Sequence, residues 1–200
     1  IVANVSDAAG NPAVQVSSTF TVDTTAPGAF TVGAVVTTGG TVVASKWNST
    51  NTGVDITVPV ATDDASLTGG TIQLRAKVGN ENYADLGNPY TITGNENGSV
   101  TISNTATVLE AISEGVADAE AVTFTAIITD SGSTSTTGTE SGTTLTFDQT
   151  APTAEITYST ASPYNNTETV TITATFSEAM ADSPVVKIAL SGAETLAATA

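Results

Sequence analysis

Two phrases in this chain share one frame. "FTVDTTAPGAFTV" runs from Phe20 to Val32, and "TFDQTAPTAEIT" runs from Thr146 to Thr157. In each, a β-rich run leads into an Asp, one spacer, Thr-Ala-Pro and a second β-rich run. Asp23 and Pro27 recur as Asp148 and Pro152 at the same spacing. Proline fixes its own φ and pushes the preceding residue into an extended conformation. The phrase therefore reads as a stiff joint, where the chain leaves one β unit and enters the next.

Composition supports β structure on both sides of the joint. The chain has 200 residues, of which 40% are hydrophobic and only 5% aromatic, so Val, Ala and Ile carry the apolar content. Thr is abundant as well. Val, Ile and Thr are stiff at χ1 and suit a pleated surface better than a helix. The chain starts at Ile1 without a Met and ends in patterned sequence, which reads as part of something longer.

Charge excludes several classes of function. Four basic residues against twenty acidic ones leave a net charge of −16. Lys46, Arg75, Lys77 and Lys187 cannot neutralise a phosphate backbone, so nucleic acid is not a partner. Adhesion to anionic lipid by electrostatics fails for the same reason. No apolar run approaches the ~18–20 residues that span a bilayer, so no membrane insertion is expected of this segment. There is no Cys and no His. Ser-His-Asp and Cys-His catalysis are therefore unavailable, and zinc lacks its preferred ligands. Asp63 and Asp64 are adjacent rather than opposed across a sugar, as a glycosidase requires. The chain is not expected to be an enzyme.

The strand pattern predicts three pieces. Residues 1–23 read as the closing hairpin of a preceding unit, with the turn chemistry of "DAAGNP" between two strands. Residues 24–149 read as one complete unit, with strands at 29–36, 53–61, 71–78, 89–93, 98–103, 121–129 and 142–147. Val108, Leu109, Ile112 and Val116 recur at helical spacing, and Gly115 offers a C-terminal stop, which predicts a short helix over 106–114. Residues 150–200 begin the same program again, with strands at 154–159, 168–176 and 185–190. The chain is thus expected to be a window cut across a tandem array.

Seven short strands with Greek-key connections predict an all-β fold of immunoglobulin-like β-sandwiches in tandem. "VSDAAGNPAVQVSSTFTVDTTAP" resembles the last hairpin and linker of bacterial Ig-like repeats, and "FSEAMADSPVVKIALSGAETLAAT" is similar to the middle of another subtype. Such repeats build very large surface and secreted proteins, including type I-secreted adhesins, biofilm proteins and surface-layer or filament proteins. The resemblance implies an extracellular, cell-surface location and a structural role.

Topology then gives the acids a geometric meaning. In an Ig-type sandwich the first strand begins at the pole that also carries the second-to-third and sixth-to-seventh strand loops. For residues 24–149 this gathers Asp23 from the linker, Asp63 and Asp64 from "TDDASLTGG", and Asp130 from "TDSGST". The next joint repeats the set with Asp148, Glu178 and Asp182, and Asp7 shows what the preceding unit presents. Crowded carboxylates repel one another, and Ca²⁺, which takes 6–8 oxygen ligands, would remove that cost. The resembling adhesin repeats are known for calcium at inter-domain joints. The competing reading makes each Asp a plain turn former, since Asx side chains bond nearby backbone N–H groups.

Two working modes are open. One is a stalk of rigid beads whose partners are the neighbouring repeats of the same chain. The other is a filament or surface lattice of identical chains, including strand donation between 1–22 of one chain and 150–200 of another. A carbohydrate-binding module is a weaker alternative, with Trp47, Tyr83, Tyr90, Tyr158 and Tyr164 as its rings; Trp47 is expected instead to close the core. Four Asn-X-Ser/Thr sequons stand at Asn4, Asn48, Asn97 and Asn165. They matter where the source glycosylates its surface proteins.

Overall fold

The computed structural model describes residues 5–15, 17–112, 115–159, 167, 169–181, 185–190 and 196–199. Asn4, Tyr164, Asn165 and Asp182 lie outside the described residues. The chain forms two compact units, Ile1–Gln149 and Thr150–Ala200, and both are predominantly β.

In the first unit the strands are β1 (Val35–Thr38), β2 (Lys46–Asn48), β3 (Gly53–Pro59), β4 (Thr71–Val78), β5 (Ala84–Asp85) and β6 (Tyr90–Thr91). They continue with β7 (Ser99–Thr105), the helix α1 (Ala106–Glu110), β8 (Ala121–Thr129), β9 (Ser135–Thr137) and β10 (Leu145–Asp148). One sheet has the order β1-β3-β7. The other runs β2-β10-β8-β4-β5, with β6 also on β4 and β9 also on β8. All pairings are antiparallel except β2 with β10, which is parallel.

The β4–β8 pair shows why these segments fold as strands. Ile72, Leu74, Ala76 and Val78 are buried along β4, and Val122, Phe124, Ala126 and Ile128 along β8. Register places Leu74 against Ala126 and Ala76 against Phe124, so a large side chain meets a small one across these two central rungs. Strand β3 turns Val54, Ile56 and Val58 into the same core, which also takes in Leu145 and Phe147 of β10. The two sheets thus share one hydrophobic cluster. Polar neighbours alternate outward, as a half-buried sheet requires.

Several boundaries shift for physical reasons. The stretch predicted as a strand over 29–36 changes partners midway. Thr31 bridges Thr139 in parallel, and the regular ladder with β3 runs over Val35–Thr38. The helix predicted over 106–114 is regular over Ala106–Glu110. Its buried Leu109 and Ile112 join the core. Strands β2, β5 and β9 escape periodicity because each is two or three residues long. Around Asp7, the described residues of the first hairpin form one bridge, Ser6 with Pro12.

The second unit pairs β11 (Ala154–Tyr158) with β12 (Ile172–Phe176), and β13 (Ile188–Leu190) with β14 (Leu196–Thr199). No helix among the described residues is long and apolar enough to cross a membrane.

Trp47 is fully buried and stacks on Phe147, with ring centroids 5.7 Å apart. Phe147→Ala removes that contact and opens a cavity in the core, which costs about 3–5 kcal/mol. Urea unfolding should show a lower midpoint at unchanged slope; an unmoved midpoint would mean that the β2–β10 seam does not support the unit.

Candidate functional site

The incoming linker is fastened to the rest of the first unit by hydroxyl groups. Thr134 Oγ1 donates to the carbonyl of Thr25 at 2.9 Å, and Thr136 Oγ1 donates to the carbonyl of Pro27. Pro27 is itself buried. The 130–134 loop is held in turn by Ser131 N–H, which donates to Ser66 O at 2.9 Å. Ser66 lies in the 3-10 turn Ala65–Leu67, whose N-cap is Asp64. Linker, second loop and last loop therefore meet at one pole.

Asp130 shapes the last loop. Its Oδ1 accepts the Thr134 N–H at 2.9 Å, and its Oδ2 accepts from Thr134 Oγ1. Asp130 N–H donates to Thr134 O at 3.0 Å, and Ser133, at φ 70°, donates to Asp130 O at 3.1 Å. Only 3% of Asp130 is exposed. The Thr134 hydroxyl, helped by backbone N–H groups of the loop, holds its carboxyl below the ordinary value of 3.8.

The same loop occurs around Asp7. Its Oδ1 accepts from Ala9 N–H at 3.0 Å and Asn11 N–H at 2.9 Å, and its Oδ2 accepts from Asn11 Nδ2 at 2.8 Å. Asp7 N–H donates to Asn11 O, and Gly10, at φ 91°, donates to Asp7 O. "DAAGN" and "DSGST" thus close identically: Asp at the first position, a left-handed fourth residue, and a fifth residue whose backbone and side chain both bond the Asp. The Asn11 side chain lowers the Asp7 carboxyl as Thr134 lowers that of Asp130.

Asp23 comes to the Asp130 loop at Gly132. A Cβ on Gly132 would lie 3.1 Å from Asp23 Cβ and 3.2 Å from Asp130 Oδ1, so glycine is what lets the linker approach this closely. Asp23 Oδ1 accepts Thr25 N–H at 3.0 Å, an Asx turn at the start of the joint. Asp64 is spent locally, accepting Ser66 N–H at 3.0 Å and Ser66 Oγ at 2.5 Å. Asp63 is exposed beside a surface cleft bordered by Pro27 and Phe30. Asp148 ends β10, and Glu178 is exposed in the second unit just beyond β12.

Of the expected ligands, then, the structure brings Asp23 and Asp130 together. Among the described residues no three acidic side chains form a group able to hold a metal ion. Both oxygens of Asp130 and one of Asp23 already accept protein hydrogen bonds. Calcium needs 6–8 oxygens, and this pair alone does not fit that demand.

The other end of the unit is closed by residues that sequence reasoning passed over. Glu110 Oε1 accepts from Trp47 Nε1 at 2.9 Å and from Gln149 Nε2 at 2.6 Å. Asp118 Oδ1 accepts the Gln149 N–H at 2.6 Å. Trp47 is thus a core residue tied to the outgoing linker rather than an exposed ring. Among the sequons, the Asn48 amide donates to Thr41 O at 2.8 Å and accepts from Thr50, whereas Asn97 is exposed in a turn at φ 51°.

No family model, curated protein or solved structure matches this chain.

Thr134→Val keeps the shape and removes the hydroxyl shared by the linker and Asp130. It should lower Tm by roughly 3–8 °C, and hydrogen exchange at the 130–134 loop should rise. Unchanged protection there would show that the linker is held by packing alone. Acid should act through the same groups. Backbone N–H of Thr93 and its hydroxyl draw Glu96 from 4.5 down to about 2, and Asp130 is lowered as well. A carboxyl lowered in the folded state contributes stability above its unfolded value and loses it as pH falls through the folded one. Tm should therefore fall between about pH 4.5 and 2, and less steeply in Glu96→Gln.

Proposed function

We propose that this chain is a mechanical spacer: a segment of a tandem array of Ig-like Greek-key sandwiches in a large extracellular, adhesin-type surface protein. The carrying observation is the repeated hardware of the joint. The linker phrase occurs twice, at Asp23–Pro27 and Asp148–Pro152, and the Asp-closed hairpin that precedes a linker also occurs twice, at Asp7 and Asp130. An array of like units produces such paired repetition; a single-domain enzyme or binding module has no need of it. The sheet orders β1-β3-β7 and β2-β10-β8-β4-β5 support the Greek-key reading.

The mechanism is load transfer. Tension enters the first unit at the linker and leaves at Gln149. Near both ends the pairing is parallel, Thr31 with Thr139 and β2 with β10. Pulling such strands apart loads their hydrogen bonds in shear, all together rather than one after another. The joint itself is stiffened by Pro27, by the Thr134 and Thr136 hydroxyls and, at the outgoing end, by Glu110 and Asp118. With neither His nor Cys, the reading assigns no catalysis to the chain.

Force spectroscopy on the full chain tests this. The unit between the two linkers should rupture in one event that releases roughly 40 nm of chain. Unravelling without a force peak would reject the spacer. Thermal unfolding in millimolar Ca²⁺ and in EDTA addresses the joint, and the two curves should superimpose if hydrogen bonds set it. Stabilisation near 2.7 kcal/mol, the value at ~100 times Kd, that vanishes in Asp23→Asn would instead place a cation at the Asp23–Asp130 pair.

A further inference from the structure

The sequence contains one Asn-Gly pair, Asn97-Gly98, and the fold places it at the tip of a turn inside the first unit. Asn97 has φ 51° and Gly98 φ 99°, and Ser99 N–H donates to Glu96 O at 3.1 Å. Two central residues at positive φ with that closing bond make a type I′ turn. The turn leads into β7, whose ladder with β3 starts at Ser99 against Pro59. Both shoulders of the turn are pinned. Glu96 accepts Thr93 N–H at 2.7 Å and Gly94 N–H at 2.9 Å, while Gly98 O accepts Val60 N–H at 3.0 Å.

The peptide between Asn97 and Gly98 is not pinned. Among the described residues neither the Asn97 side chain nor the Gly98 N–H makes a hydrogen bond, and Asn97 is exposed. A type I′ turn converts to type II′ by rotating this one peptide, which takes ψ of the first central residue to about −120°. The closing bond is common to both turn types, and the Val60 bond lies beyond the rotating group. The rotation therefore breaks no hydrogen bond. It carries the Gly98 nitrogen round to the side-chain carbon of Asn97, where the two can close a five-membered ring. Glycine suits the far side, because its φ changes sign in the rotation and no Cβ crowds the attacking nitrogen.

Asparagines elsewhere in the unit show the contrast. Asn48 Nδ2 donates to Thr41 O at 2.8 Å, and Asn51 Nδ2 donates to Gly39 O at 3.0 Å. Asn88 precedes a proline, which has no N–H to give up. Asn95 precedes Glu96, whose side chain crowds the attack.

We propose that Asn97-Gly98 is a self-modification site that converts to isoaspartate in the folded protein, with water as the co-reactant. The Gly98 nitrogen loses its proton and bonds to Asn97 Cγ. The Cγ–Nδ2 bond breaks, and Nδ2 leaves as ammonia with a proton in place of that bond. Water then opens the succinimide: cleavage at the backbone carbonyl leaves isoaspartate, and cleavage at the side-chain carbonyl leaves aspartate. Overall one water enters and one ammonia leaves. The isoaspartate lengthens a two-residue loop by one methylene and sets a new carboxylate beside Glu96, where β7 begins. The reaction needs only this turn and water, so it is independent of the spacer reading.

Ageing the full chain in mildly alkaline buffer tests the proposal. Peptide mapping should find the mass change of NH exchanged for O in the peptide that holds Asn97, ahead of every other asparagine. Fragmentation at the N–Cα bond should identify isoaspartate as the main product. The folded chain should react within roughly tenfold of the same chain in urea, a margin of about 1.4 kcal/mol, because the rotation breaks no bond. Asn97→Gln, which would have to close a six-membered ring, should stay unmodified while Trp47 emission shows the unit folded. A folded chain slower than that margin, a product that is aspartate alone, or asparagines elsewhere that react as fast would each overturn the proposal.

Discussion

The hydroxyl of Thr134 has one proton and two acceptors beside it, the carboxylate of Asp130 and the carbonyl of Thr25. That sharing couples two structures which are far apart in sequence. Asp130 needs Thr134 to close its five-residue loop, and the linker needs Thr134 to hold its direction into the first strand. A loop at the end of an otherwise ordinary hairpin thereby sets where the preceding part of the chain enters. Thr136 repeats the contact one turn of the pleat further on, at Pro27. The core beneath is built from Val, Ile, Leu and Phe in alternation and would tolerate a looser entrance. The joint would not.

How much of this was legible in the sequence depends on length and on locality. Strands β4 and β8 are eight and nine residues long and bury every second side chain, so their period stands out. Strand β2 is three residues long and is held by Trp47 and a parallel neighbour, which no local pattern reveals. The meeting of linker and loops followed from topology and is visible in the bonds among Thr25, Ser66, Ser131 and Thr134. For the carboxylates the sequence left two readings open, a shared cation and a local turn. Asp7, Asp23, Asp64 and Asp130 each accept N–H groups within four residues. A short acidic side chain in a turn finds such donors before it can reach across to another segment. Thr134, Thr136 and Glu110 carried no signal, because a hydroxyl or carboxylate acquires a distant partner only once the chain has folded.

The Asp-closed loop also separates local from global determinants. Around Asp7 and around Asp130 the same five positions make the same bonds, although one hairpin is built into a core and the other is exposed. The loop is therefore self-sufficient, and burial of the flanking strands is a separate event. Each such turn can form before the sheet it belongs to is complete.

The seam at the outgoing end has a practical corollary. The chain contains one tryptophan, and it sits fully buried against Phe147 with its indole N–H on Glu110, the same oxygen that receives Gln149. Its emission is thus sensitive to the last residues of the first unit. A red shift would mark water reaching the seam where the first unit ends, so this protein carries a built-in optical gauge of strain at that seam.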